Sequence, residues 1–408
     1  MTWKLGTTGK TRRGFLKQGF PALAALASSA ALPRYAFSEA RLSGSVKIGI
    51  LLPFSGPFAL LGREQLNGAR TYLKMVGGSF DGMAVEFVSE DSQGDPAIGL
   101  QKAQRLIESS NVDITAGIVS SAVALAVRDY FNRNKKLLVI SNASANGITS
   151  GQGRSRYIFR VSSSSWQNSY PLGPWAAENV GKSAFLVGSN YAAGRELNQG
   201  FSEGFTKTGG KVIDQIYPPL GTTDFAPFLS NVKNQGAEFV YASLAGADAL
   251  NFVKQYSQFG LKGTVPLIGC GSLTTKDVLD AEGDSAVGIH TNYAYTPELD
   301  NAVNKAFVAA FRKEYNVAPS PYASWGYDAV QLIHKALVAT NGDKNVDKLI
   351  AAMEKVQLDS PRGSISFDPE SHNVVQRQYL LEVQKQADGL ANVPVKVLGV
   401  FSDRAQIS

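Results

Sequence analysis

Cysteine is almost absent. Cys270 stands alone in 408 residues, which excludes an internal disulfide and a cysteine-rich metal site. Histidine is nearly as scarce, and His290, His334 and His372 are scattered without metal-ligand spacing. His334 falls inside a helical pattern and reads as a structural residue. The sequence has no G-x-S-x-G elbow, no H-E-x-x-H pair, no Walker loop and no calcium loop, so the chemistries that those motifs serve have no foothold. Gly151-Gln152-Gly153 and Gly269-Cys270-Gly271 open like a dinucleotide fingerprint but lack its third glycine. No catalytic residue, metal or cofactor is expected.

Long apolar runs are missing too. Gly19 to Leu32 is shorter than the roughly 20 residues that a membrane-spanning helix needs. It follows Thr11-Arg12-Arg13-Gly14-Phe15-Leu16-Lys17 and precedes the small-residue exit Ser38-Glu39-Ala40. A basic stretch, a short greasy run and such an exit describe an export leader over residues 1–40. The paired arginines resemble the twin-arginine signal, which is read by machinery that exports folded proteins. The leader also explains the charge. It holds six of the 40 Lys and Arg but one of the 34 Asp and Glu, so the net +6 falls to about +1 in the rest. No basic cluster remains to suit a nucleic acid. Cys270 lies far from the leader and is no lipid-anchoring residue, so a soluble periplasmic protein is expected.

The chain beyond the leader exceeds the roughly 250–300 residues at which a single core stops growing, which argues two domains. Val46 to Pro53 is a continuous apolar run, as in a parallel strand buried on both faces. Glu64 to Val76 has helical spacing and stops at Gly77-Gly78; Asp95-Pro96 looks like an N-cap with proline at the first helical position. Strand and helix then alternate, break at the Ser- and Asn-rich stretch 141–156, and resume, with helices near 166–180, 194–208, 225–235 and 247–259. Two long helical patterns, Leu299 to Tyr315 and Tyr322 to Thr340, precede a tail of strands without helices between them. The pattern predicts an α/β fold of two doubly wound, largely parallel sheets.

In such sheets ligands bind beyond the carboxyl ends of the strands. The first of those loops is Pro53 to Gly62. The third, Ile118-Val119-Ser120-Ser121, runs straight into a helix, whose start offers free N–H groups and partial positive charge for a carboxylate. Read without a ligand, the same serines are a helix cap. Ser141-Asn142-Ala143-Ser144 is polar again and faces the same edge.

Five segments carry a family resemblance: "VKIGILLPFSGPFALLG", "AGIVSSAVALAV", "LLVISNASANGIT", "AEFVYASLAGADALNFVKQ" and "YASWGYDAVQLIHKAL". In this order they resemble the leucine/isoleucine/valine-type periplasmic solute-binding proteins of ABC importers, over essentially the whole chain after the leader. The resemblance implies two α/β lobes joined by three hinge crossings and closing on a ligand. It divides the chain into 41–161 with 293–360, and 162–292 with 361–408. It implies a monomer that hands a small carboxylate to a permease in the inner membrane.

Position by position, Ser121, with Ser120 beside it, matches the serine that holds the ligand carboxylate. Asn142, Ala143 and Ser144 match the loop that completes the seat. Leu61 stands where amino-acid binders often present an aromatic, and Tyr191 matches a tyrosine of the second lobe that closes on the ligand. Ala245 and Gly246 replace another tyrosine, and Gly271 replaces the acid that pairs with an α-ammonium. A buried ammonium without a partner is very costly, so a non-amino carboxylate is expected, with Tyr191, Trp166 and Phe58 lining the room for an aromatic ring such as a hydroxybenzoate or phenylpropanoid. The alternatives are a branched-chain amino acid or amide, with Asp248 as the acid; a ligand-sensing protein using the same cleft; and an enzyme exported folded with its cofactor.

Overall fold

The computed structural model describes residues 42–403, apart from 57, 152 and 388, together with residue 407. The export leader expected over 1–40 lies outside the described residues. β1 (Ser45–Leu52), α1 (Ala59–Met75), β2 (Ser79–Phe80), β3 (Met83–Asp91), α2 (Pro96–Gln104), β4 (Ile114–Gly117), α3 (Ser121–Arg133), β5 (Leu138–Ile140) and β6 (Ile158–Arg160) build a first sheet in the order β2-β3-β1-β4-β5-β6. All its pairings are parallel except that of the two-residue β2. The apolar runs of β1, β4, β5 and β6 sit in this sheet because helices cover both its faces, whereas β3 exposes Ala84, Glu86 and Ser89.

A second unit follows: α4 (Leu172–Asn179), β7 (Ser183–Gly188), α5 (Ala192–Lys207), β8 (Lys211–Ile216), α6 (Ala226–Gln235), β9 (Phe239–Ser243), α7 (Gly246–Gln258), β10 (Leu267–Cys270), α8 (Lys276–Glu282) and β11 (His290–Tyr293). The chain then returns to the first lobe with α9 (Ala302–Tyr315), α10 (Pro321–Ala339) and α11 (Val346–Met353). Phe307, Phe311, Trp325, Leu332 and Ile350 of these helices share one apolar cluster with Val46, Ile48 and Ile50 of β1. Finally β12 (Leu358–Ser360), β13 (Gly363–Phe367), β14 (Val374–Gln386) and β15 (Gly389–Phe401) extend the second sheet to β12-β13-β14-β11-β10-β9-β7-β8, with β15 antiparallel to β14. The expected two-lobed α/β architecture is observed, with an antiparallel tail on the second sheet.

Several elements depart from expectation. α1 begins at Ala59, five residues before Glu64, because Gly62 is not a loop residue. A Cβ there would lie 1.9 Å from the Pro53 carbonyl, so the glycine lets helix and strand end approach closely. The helix expected from 166 begins at Leu172, after a run of turns, with Pro171 in the cap position. α8 was not foreseen; seven residues give the apolar spacing too little length to show.

The segments that cross between the sheets are tied by buried polar groups. Arg160 donates from Nε to Asn373 Oδ1 (2.6 Å) and from Nη1 to the Ala145 carbonyl (2.8 Å). Arg362, fully buried, pairs with Asp328 of α10 at 2.9 Å and donates to Gln376 and to the Val161 carbonyl. One guanidinium thereby joins the first crossing, the third crossing and the first lobe. His334, buried within α10, hydrogen-bonds Tyr72 at 2.7 Å and stacks on Phe80, the structural place its helical pattern predicts.

Candidate functional site

Among its parallel strands each sheet reverses its strand order once, the first between β1 and β4 and the second between β7 and β9. A crevice opens beyond the strand ends at such a point. The four loops there begin at Pro53, Ile118, Ser189 and Leu244, and they carry Phe58, Ser120, Tyr191 and Ala245, with Leu61, Ser121 and Gly246 in the first turns of the helices that follow.

At the first crevice the chain turns sharply. Ile118 has φ +68°, costly for a β-branched residue, and follows Gly117 at φ +128°. Hydrogen bonds from Ile118 N–H to the Leu51 carbonyl (2.8 Å) and from Ala143 N–H to the Ile118 carbonyl (3.1 Å) hold that turn. Strain of this kind persists where the surroundings over-determine it, commonly at functional sites. It delivers Ser120 as the N-cap of α3, where its Oγ accepts a long 3.5 Å bond from Val123 N–H. Ser121 Oγ accepts from Ala145 N–H at 3.1 Å, and its proton remains free to donate. The N–H groups of Ser121 and Ala122 have no acceptor within the helix. Asn142 donates to the Val119 carbonyl (3.3 Å), and Ser144 Oγ accepts from Ser165 Oγ at 3.2 Å. Ser120, Ser121, Asn142, Ala143 and Ser144 are thus brought together at a helix start, with three hydroxyls among them.

Across from it, Tyr191 is the N-cap residue of α5. It keeps 39 % of its surface exposed, yet burial among protein atoms, then the charges of Cys270, Asp248 and Glu196, push its hydroxyl up to about 12. A side chain crowded by protein but open to water has the signature of a cleft wall. Ala245 caps α7 and is exposed, and a Cβ on Gly246 would meet nothing within 4 Å, so the missing tyrosine leaves real space. At Gly271 the reverse holds. A Cβ there would stand 2.2 Å from Tyr293 Cγ, so the Tyr293 ring fills the place where an acidic side chain would start. Asp248 is occupied, accepting from Ser189 Oγ (3.4 Å) and Gly221 N–H (3.1 Å).

A hydrogen bond joins the lobes beside this space. Asn146 N–H donates to Glu196 of α5 at 2.9 Å, and Glu196 lies in electrostatic reach of Tyr191. Tyr191 in turn is close to Tyr322 of α10, and Tyr322 to Asp277 of α8. The charge of Asp277 reaches Glu64 of α1, next to Gln65, which accepts a hydrogen bond from Ser141 Oγ. Tyr293, Tyr322, Asp277 and Glu64 were missed by sequence reasoning, because they come from the end of β11, from the starts of α8 and α10 and from α1, none of them the loops singled out. Behind Gly271 and Tyr293 a cavity of about 60 Å³ opens toward Asn392 of β15; of the candidate residues it touches Gly271 alone.

Three candidates sit differently. Trp166 stacks on Tyr170 (4.2 Å) and donates from Nε1 to Glu203 at 3.2 Å, so its indole is committed to second-lobe packing. Phe58 packs against the first lobe's apolar cluster, with its ring close to Gly94 after β3. Leu61 is half-buried in the first turn of α1 and packs on the same cluster. Among the described residues no group of three or more His, Cys, Asp or Glu could hold a metal ion, and no helix is long and apolar enough to cross a membrane.

Residues 45–389 match the family model described as periplasmic binding protein. The Leu/Ile/Val-binding protein homolog 6 of Brucella melitensis is 35 % identical over 357 residues, 86 % of this chain and 91 % of that protein. A solute-binding protein of an ABC transporter from Rhodopseudomonas palustris, solved in complex with 3,4-dihydroxy benzoic acid, is 33 % identical with a TM-score of 0.83, covering 89 % of this chain and 99 % of the other. Another from R. palustris, in complex with benzoate, is 33 % identical with a TM-score of 0.82 over 89 % and 99 %. Two doubly wound lobes, a cleft at both strand-order reversals and these matches make the chain a member of the periplasmic binding protein family, a non-catalytic, periplasmic substrate-binding component of an ABC importer for a small solute.

Proposed function

We propose that the cleft captures a small aromatic carboxylate and hands it to a permease in the inner membrane. The observation that carries this reading is the Tyr293 ring against Gly271, which leaves no side chain there to meet an α-ammonium. The carboxylate rests on Ser120, Ser121, Asn142 and Ser144 at the start of α3, where a helix N-terminus and hydroxyl donors act together. The ring lies toward Tyr191, in the room left by Ala245 and Gly246. Relatives with benzoate and 3,4-dihydroxy benzoic acid bound support the ligand class. The name of the Brucella relative favours a second reading, a branched-chain amino acid.

A thermal-shift panel separates the two. A ligand at 100 times its dissociation constant adds about 2.7 kcal/mol of stability. Benzoates or coumarate should raise the melting temperature, and leucine and valine should not; the reverse pattern sinks the proposal. Ser121→Ala removes one donor to a charged acceptor, and calorimetry should show a loss of about 1.5–3 kcal/mol in binding the preferred acid. We further propose that residues 1–40 direct export by the twin-arginine route. Replacing Arg12 and Arg13 by lysine should then hold the precursor in the cytoplasm, and undiminished export would refute that route.

A further inference from the structure

We infer that Glu196 is a latch: its hydrogen bond to the Asn146 N–H holds the two lobes together, so that this positioning residue sets how long the protein keeps its solute without touching it. The latch needs only lobes that close on a solute, and it works for either ligand class considered above.

The bond joins elements that belong to different cores. Ala145 and Ile148, on either side of Asn146, share an apolar cluster with Val123 and Val127 of α3. Leu197 and Phe201, which follow Glu196 on α5, share another with Leu186 of β7 and Tyr241 of β9. Between them Asn146 N–H donates to Glu196 Oε2 at 2.9 Å. That N–H opens a single 3-10 turn, Asn146–Ile148, and the first N–H groups of such a turn have no acceptor within it. Among the described residues no Lys or Arg forms an ion pair with Glu196. Both partners are half-buried. Closing the lobes thus brings a carboxylate with no cation of its own onto an N–H with no other acceptor, and a charged acceptor makes the stronger kind of hydrogen bond.

The rest of Asn146 is fixed so that its N–H points at α5. Its Oδ1 accepts from Trp166 N–H at 3.0 Å, and its carbonyl accepts from Ser150 Oγ at 2.6 Å. The residue before it, Ala145, donates its N–H to Ser121 Oγ at 3.1 Å, so the latch adjoins the proposed carboxylate seat. On the other side, Glu196 stands in the second turn of the helix that Tyr191 opens, and Arg195 N–H donates to the Tyr191 carbonyl at 3.2 Å. One short chain of bonds therefore runs from the seat to the opposite wall of the cleft. The apparent affinity for a solute is its affinity for the closed form scaled by the fraction of protein that closes. Without the latch that fraction falls, and the loss appears chiefly as faster dissociation.

Stopped-flow dissociation of 4-hydroxybenzoate and of leucine from the parent, Glu196→Ala and Glu196→Gln tests the latch. Whichever solute the parent binds, Glu196→Ala should release it about three- to tenfold faster, the effect of a charged hydrogen bond discounted for partial exposure. Glu196→Gln retains an acceptor oxygen and should recover part of the loss. The melting temperature of the ligand-free protein should change little, because the bond supports neither core. In the ligand-free protein the Asn146 amide should also exchange with deuterium faster in Glu196→Ala, a readout that needs no solute. Equal dissociation rates in the parent and folded Glu196→Ala, or equal exchange at Asn146, overturn the inference and leave the proposed function standing. Binding of leucine without 4-hydroxybenzoate overturns the proposed function instead, and the latch is then read from leucine.

Discussion

Replacing Arg362 with methionine is expected to lower the stability of the protein by about 3–5 kcal/mol, the loss seen when one partner of a buried ion pair is removed. The variant leaves Asp328 fully buried with its charge unmatched, and Asp328 Oδ1 already lacks a hydrogen bond. It also strips donors from Gln376 and from the Val161 carbonyl. Ser360 still donates to Asp328 at 2.9 Å, but one neutral donor does not replace a guanidinium. The double variant Arg362→Met with Asp328→Leu removes both charges and should recover most of the loss, since a buried pair is often no better than well-packed apolar residues. Chemical denaturation of the three proteins measures the difference. Equal stability of the parent and Arg362→Met would show that the crossings do not depend on this pair.

The second large effect is a pH dependence at Glu282. This residue of α8 is 2 % exposed, and neither carboxyl oxygen has a hydrogen-bond partner. Burial, with the charge of Asp277 adding to it and Lys254 opposing, pushes its carboxyl up to about 8. In the unfolded chain it titrates near 4.5. Below that value both states are protonated, and the group costs nothing. Between about 4.5 and 8 the unfolded state releases its proton while the folded state keeps it, so stability falls as pH rises. The slope is about 1.4 kcal/mol per pH unit, which accumulates to a loss on the order of 4–5 kcal/mol by pH 8 and then levels off. Glu282→Gln lacks the titration. Its stability relative to the parent should therefore grow steadily from pH 5 to pH 8, and parallel pH profiles for the two proteins would refute the assignment.

The architecture was legible where residues act in long stretches. Val46 to Leu52 and Phe239 to Ser243 read as buried strands because no polar residue is needed on a face that meets only helices, and Asp95-Pro96 marked its helix through the bonds that Asp95 accepts from Ala97 and Ile98. The turn at Ser120 and Ser121 was legible because a strand, a turn and a helix start follow one another within the sequence. The far side of the cleft was not. Asp277 lies in a helix of seven residues, and Tyr322 on a helix that otherwise reads as uniform core. Both lie more than 200 residues from Glu64 along the chain. Trp166 and Phe58 have the right chemistry for a ring, and in the fold they pack on Tyr170, Glu203 and Gly94.

The most direct measurement is a crystal structure of the protein with 4-hydroxybenzoate bound. Carboxylate oxygens are expected within hydrogen-bonding distance of Ser121 Oγ and the N–H groups opening α3, with the ring beside Tyr191. A carboxylate seated away from α3, or a cleft that stays empty of the ring acid and fills with leucine instead, would contradict it.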